Sequence, residues 1–319
     1  MRNGSSYDIV ILGNYTKDTI VSPSGTRHVD GGGFNYGSHV ASMMGLKAAA
    51  VTRLSREDVR VVDALTRLGV TVYPTYTPYS TDMRLYYPTT NVDERVLSVT
   101  HTAGAFTPDQ FAGLESRAFL INSSIRGEVD LAVIRELRTK NALLAADVQG
   151  FIRIIGPEGA LMYDGWPEKL EVLSQIDILK TDAVEAEKLT GKKDIEAAAR
   201  ALAGYGPKEI VLTHSQGVLV YAGGQFHEAP FCPQKLLGRS GRGDTCIGSY
   251  VCKRLSASPQ EATIWAAAVT SLKMEAEGPI TRKASEVEEL IARMYAASGC
   301  GAGASACQPM LIKGGKYSQ

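Results

Sequence analysis

Short apolar runs recur along the chain at 7–12, 48–51, 118–121, 142–146, 176–179 and 209–212, and stretches of helical periodicity separate most of them. Runs this short and rich in Val, Ile and Leu read as strands buried on both faces. Between 118–121 and 142–146, for example, Val129, Val133, Ile134 and Leu137 fall on one helix face. Strands alternating with helices predict an α/β domain whose central sheet is mostly parallel and covered on both sides. Two segments, about 15–30 and 71–100, break the alternation with β-branched and aromatic residues and turn signals. They predict a small β-sheet lid on the main domain, with strands near 85–87 and 96–99 joined through 89–93. Such a lid excludes water from a reacting phosphate and offers a surface for a homodimer.

Charge and length narrow the class of activity. The 319 residues carry 34 Lys plus Arg and 34 Asp plus Glu, so no basic surplus advertises nucleic acid or an anionic membrane. No segment has the roughly 18 uninterrupted apolar residues of a membrane span, and residues 1–8 are too polar for a signal peptide. A cytoplasmic enzyme acting on a small molecule is expected. Five cysteines at 232, 246, 252, 300 and 307 lack metal-site spacing and are expected as free thiols, with Cys246 a small buried hydrophobe. The tail 298–319, rich in Gly, Ala and Ser, is expected to be flexible.

The chemistry is written most densely in Gly238-Arg239-Ser240-Gly241-Arg242-Gly243-Asp244-Thr245. Glycines at 238, 241 and 243 let the backbone approach a ligand closely. Ile247, Tyr250, Val251 and Leu255 then recur at helical spacing, so a helix is expected to begin near Asp244. The unpaired amides and positive dipole of a helix start suit a phosphate, and a carboxylate beside it suits proton removal from an attacking hydroxyl. The plain alternative is a glycine turn followed by a capping Asp or Thr. The segment lacks the Lys-Ser/Thr ending of a P-loop and the spacing of a dinucleotide fingerprint.

With those residues in place, the chain resembles the ribokinase-like (PfkB-type) carbohydrate kinase family over about residues 7–295. The resemblance implies a three-layer α/β/α kinase domain over 1–297 with the lid inserted. Gly241-Arg242-Gly243-Asp244 is similar to the family's Gly-Ala-Gly-Asp, in which the first three residues supply an anion hole from backbone amides and the aspartate is the catalytic base. Arg242 stands where alanine is usual, and Gly238 where aspartate is common. Residues 30–36, with Gly32, Gly33, Asn35 and Tyr36, resemble the substrate motif, Tyr36 standing where sugar kinases often carry asparagine. Asn14 and Asp18 match the region that accepts bonds from sugar hydroxyls, while Arg95 and Gln149 are further substrate candidates, with Arg153 in the same segment as Gln149.

The same resemblance assigns Asp182 and Glu185 to Mg²⁺ and its waters, a pair that also reads as a helix capping box. Lys180, Thr213, Ser215 and Gly217 are implied to border a nucleotide, with the Ala-rich helix around 265–274 as the opposite wall. ATP and Mg²⁺ are the implied cofactors, together with a monovalent cation near the anion hole. The expected function is phosphoryl transfer from ATP to a hydroxyl of a sugar or cyclic polyol, inositol-like or an unusual sugar. A nucleoside kinase is the alternative within the family, and a catalytically weak sugar-binding or regulatory protein is the alternative outside it.

Overall fold

In the computed structural model, which describes residues 6–89 and 96–295, the predicted strands assemble into one nine-stranded sheet. Its seven parallel strands are β1 (Ser6–Leu12), β4 (Ala48–Ser55), β5 (Thr71–Thr77), β8 (Glu115–Ile121), β9 (Leu143–Asp147), β12 (Ile178–Asp182) and β13 (Glu209–Thr213). An antiparallel hairpin, β14 (Gly217–Ala222) and β15 (Gln225–Pro230), closes one edge, giving the order β15-β14-β13-β12-β9-β8-β1-β4-β5.

Strand periodicity divides the core into two layers. Ile9, Ile11, Ala48, Ala50, Ala118 and Leu120 face one side, while Val10, Leu12, Ala49, Val51, Phe119 and Ile121 face the other. The first side is covered by α1 (Gly33–Met43), α2 (Arg60–Arg67), α8 (Arg242–Arg254), α9 (Pro259–Met274) and α10 (Ala284–Met294). The second side is covered by α3 (Leu131–Arg138), α5 (Lys169–Leu173), α6 (Ala183–Thr190) and α7 (Ile195–Ala203), with the single turn α4 (Gln149–Ile152) at the sheet edge. Each large aliphatic side chain so buried contributes about 1.5–3 kcal/mol. Both apolar faces of each inner strand therefore find partners.

A second sheet, order β3-β2-β6-β7, forms the lid from β2 (Thr16–Ser22), β3 (Gly25–Gly31), β6 (Thr81–Tyr86) and β7 (Val96–His101). It has its own small core of Ile20, Met83, Leu85, Tyr87, Val99 and Ile125. Arg27 on β3 reaches Glu277 beyond α9 at 2.9 Å. Both groups are exposed, and such a pair is worth about 1 kcal/mol at most. A further two-stranded ribbon, β10 (Arg153–Ile155) with β11 (Leu161–Tyr163), lies beside α4.

Two expectations change. The first part of the expected lid segment, Thr71–Thr77, is β5 of the main sheet, paired in parallel with β4 from Ala49↔Thr71 to Ser55↔Thr77. Val61 and Leu65 of α2 are buried in the same core cluster as Val70, with Val72 packed against it, so β4, α2 and β5 form one more βαβ unit. Pro74 is tolerated because β5 is an edge strand. Secondly, Cys232 is disulfide-bonded, contrary to the free thiol expected there, whereas Cys246 and Cys252 are free and buried. Among the described residues no helix is long and apolar enough to cross a membrane.

Candidate active site

The parallel strands finish at one edge of the sheet, and there the sequence turns polar. β1 leads into Asn14 and β8 into Asn122 and Ser123, while β9 ends on Asp147, β12 on Asp182 and β13 on Thr213. Open α/β sheets bind ligands at this edge.

Above it stands the glycine turn. Gly241 caps α8 in the left-handed conformation at φ 76°, and a Cβ there would fall inside the Tyr36 ring. Glycine is required on both counts. The helix starts at Arg242, two residues before the expected Asp244. The Arg242 amide closes the turn on Arg239 O at 3.1 Å, whereas the first intrahelical bond runs from Thr245 N to Gly241 O at 2.9 Å. Gly243 and Asp244 therefore present the helix-start amides, and the Arg242 amide expected among them points into the turn. Gln149 Nε2 donates to Asp244 Oδ1 at 3.1 Å, fixing the carboxylate over the middle of the sheet edge. At Gly238 a Cβ would collide with Ala276 O, which explains why the aspartate common there is replaced.

Below the turn lies a buried cluster of charges. Lys180 and Asp147 are register partners on β12 and β9, and Lys180 Nζ stands 2.9 Å from Asp147 Oδ2 and 4.0 Å from Glu185 Oε2. The same ammonium lies 2.7 Å from where a Cβ on Gly243 would sit, directly under the helix start. Arg153 donates to Glu185 Oε1 at 3.2 Å. Burial pulls Lys180 and Arg153 toward the neutral form, but the surrounding carboxylates outweigh it, so both remain cationic. The expected capping box is present: Glu185 N donates to Asp182 Oδ1 at 2.8 Å and Asp182 N to Glu185 Oε2 at 2.9 Å. Both oxygens of the fully buried Glu185 are thus held by protein donors.

Towards the lid, Asp18 is buried with its carboxylate against Gly31, and Tyr36 faces the space between Asp18 and Asp244. Burial and these two carboxylates hold the Tyr36 phenol far above its ordinary range, so it stays a neutral donor. Asn35 turns away and donates to Asp30 O at 3.0 Å. Between the two candidates, Tyr36 is the one facing the site. A Cβ at Gly32 would strike Asn14 O and one at Gly33 would strike the Asn122 side chain, so packing within the chain already requires glycine at both positions. Among the described residues, Asn14 Oδ1, both polar atoms of the Asn122 amide and Ser123 Oγ are among the buried groups without a hydrogen-bond partner, while the Tyr36 hydroxyl lies within reach of the Ser240 side chain.

At the hairpin end, the Arg242 guanidinium lies 5.9 Å from the Phe231 ring centre, and its charge reaches His214. Thr213 Oγ1 donates to Thr181 O at 3.4 Å, and Ser215 is exposed in the turn. A Cβ on Gly217 would meet Ala229 O at 2.5 Å, so this glycine serves the hairpin. Arg95 lies outside the described residues.

The profile of the pfkB family of carbohydrate kinases matches residues 9–285. The chain belongs to this family. Among solved structures, the sulfate complex of a pyrophosphate-dependent kinase in the ribokinase family is 35% identical at a TM-score of 0.82, covering 88% of this chain and 99% of that one. A pyrophosphate-dependent ribokinase-family kinase complexed with a pyrophosphate analog and myo-inositol is likewise 35% identical, at a TM-score of 0.81 over 88% of this chain and 99% of that one. A cytidine kinase from Thermococcus kodakarensis is 27% identical over 265 residues, 80% of this chain and 91% of its own. As a PfkB-type kinase, the chain transfers a phosphoryl group to a hydroxyl.

Sequence reasoning passed over Asn122, Ser123 and Glu128 of this PfkB-type kinase. Polar residues following a strand run were the available signal for the first two. Glu128 is buried beside Asn14 and accepts from Ser124 N at 2.9 Å, and burial pushes its carboxyl up to about 7. A folded pKa above the unfolded one gives stability that is present below about pH 4.5 and is lost as pH rises through about 7. The loss amounts to as much as about 3 kcal/mol. Melting temperatures at pH 5 and pH 8 are expected to fall further for the native chain than for Glu128→Gln. Equal falls would show that the buried carboxyl is not the source.

Proposed function

We propose that this kinase moves a phosphoryl group from pyrophosphate to a ring hydroxyl of a cyclic polyol of the inositol type. The observation that carries the reading is the line of groups along the sheet edge: cations at the β12 end, Asp244 in the middle, and buried polar atoms without partners at the β1 end. A polyol with a hydroxyl on each carbon supplies partners to Asn14, Asn122 and Ser123, whose orphaned atoms otherwise cost about 1–3 kcal/mol each.

Asp244 takes the proton of the attacking polyol hydroxyl as the hydroxyl oxygen bonds to one phosphorus of pyrophosphate and the P–O–P bond breaks, releasing inorganic phosphate. The helix-start amides at Gly243 and Asp244 and the ammonium of Lys180 balance the charge on the group in transit. Asp182, Glu185 and Asp147 form the oxygen-rich side of the site. Glu185 is already held by protein donors, so these residues fit a hydrated Mg²⁺ bound through its waters better than one ligated directly. Such an ion supplies further neutralisation of the phosphates. The relatives dependent on pyrophosphate, together with Arg242 against Phe231 and His214, favour a compact polyanion over an adenine at the hairpin end. The Asp244 carboxylate and the glycine turn are both retained, which speaks against a binding-only role.

A second reading, ATP with a nucleoside acceptor, rests on the cytidine kinase relative. Product formation from all pairings of pyrophosphate or ATP with myo-inositol, other polyols, sugars and cytidine separates the two. Pyrophosphate with a polyol is expected to give the highest kcat/KM; ATP with cytidine in that position would overturn the proposal. Arg242→Ala is expected to raise the KM for pyrophosphate about tenfold or more, the effect of a lost charged hydrogen bond, while the polyol KM stays put. An unchanged pyrophosphate KM would remove Arg242 from the donor site.

A further inference from the structure

Lys273 is a lysine with 1% of its surface exposed, in the last turn of the Ala-rich helix α9. Its ammonium donates to two backbone carbonyls of the glycine turn, Gly238 O at 3.0 Å and Ser240 O. The Tyr36 ring centre lies 5.5 Å away. Carbonyl oxygens and an aromatic face are the surroundings proteins use for a bare monovalent cation. Burial pulls the ammonium down to about 8; the carboxylates of Glu277 and Asp244 work against that fall and Arg242 adds to it, while the two carbonyl acceptors suit the protonated form. The same turn is pinned to the end of α9 by Leu237 N and Gly238 N, which donate to Met274 O at 2.9 and 3.1 Å.

We propose that the Lys273 ammonium is a built-in monovalent cation, gathering the carbonyls of Gly238 and Ser240 so that the following amides face the phosphoryl group, and that this enzyme needs no free potassium. Lys273 is a positioning residue: it acts through the turn and touches no reacting atom. A free ion would occupy the volume that its side chain fills. The inference rests on the kinase reading and supplants the expected free monovalent cation.

Turnover of the native enzyme is measured in potassium, sodium and choline chloride at equal ionic strength, and melting temperatures are recorded in the same salts. Equal rates and equal melting temperatures are expected; activation by potassium over choline overturns the proposal. Lys273→Met is expected to lose about 10- to 100-fold in kcat, the scale of a lost charged hydrogen bond, with smaller changes in KM. Ammonium or methylammonium is expected to restore part of that rate and to raise the variant's melting temperature, while choline does neither. A variant with native kcat, or one indifferent to the small cations in both readouts, overturns the role. If Lys273→Met does not fold, the native enzyme in choline still decides. If no donor and acceptor pair supports turnover, the proposed function fails, while the melting measurements still test Lys273.

Discussion

Asp244→Asn is expected to lower kcat about 100- to 10,000-fold, the usual contribution of a positioned general base. Asparagine keeps the shape of the side chain, and its amide oxygen can still accept from Gln149 Nε2, which lies 3.1 Å from Oδ1. It cannot take a proton. Melting temperature and both KM values are therefore expected to stay near native, because the Lys180–Asp147 and Arg153–Glu185 ion pairs keep both partners. Steady-state kinetics with thermal melting make the check. Near-native turnover would mean that the proton leaves by another route and that Asp244 is only a helix-start carboxylate.

Gly241→Ala is expected to cost about 100- to 1,000-fold in kcat, the range seen when a donor to developing negative charge is lost. The residue adopts φ 76°, where a side chain costs about 1–2 kcal/mol. Its Cβ would also enter the space of the Tyr36 ring. Tyr36 is buried, so the turn must retreat and carry the Gly243 and Asp244 amides with it. Measuring kcat and melting temperature for Gly241→Ala alone and combined with Tyr36→Leu separates the two causes. The smaller side chain is expected to recover part of the lost melting temperature and none of the φ cost. Native kcat in the single variant would show that the turn does not need glycine there.

Much of this fold was readable along the chain. The six short apolar runs correspond to strands β1, β4, β8, β9, β12 and β13, because a strand covered on both faces must be apolar at nearly every position. The Asp182/Glu185 capping box was equally readable, since both partners lie within one helical turn. Thr71–Thr77 was not. Its β-branched and aromatic residues suit a lid strand and an edge strand alike, and only pairing with β4 separates them. The β14–β15 hairpin escaped notice for a similar reason, although Gly223 and Gly224, at φ 57° and 80°, supply the local chemistry of its tight turn.

The active site divides along the same line. A glycine turn entering a helix, with an aspartate in the first turn, follows from local sequence, because backbone freedom and helix starts are properties of neighbouring residues. Folding in three dimensions is what sets Gln149 against that aspartate, Lys180 under Gly243 opposite Asp147, and Tyr36 rather than Asn35 toward the site. It alone brought the buried ammonium of Lys273, at the end of α9, onto the carbonyls of the turn. Those relations join residues tens to hundreds of positions apart, and their energies depend on distance and burial, which no local pattern encodes.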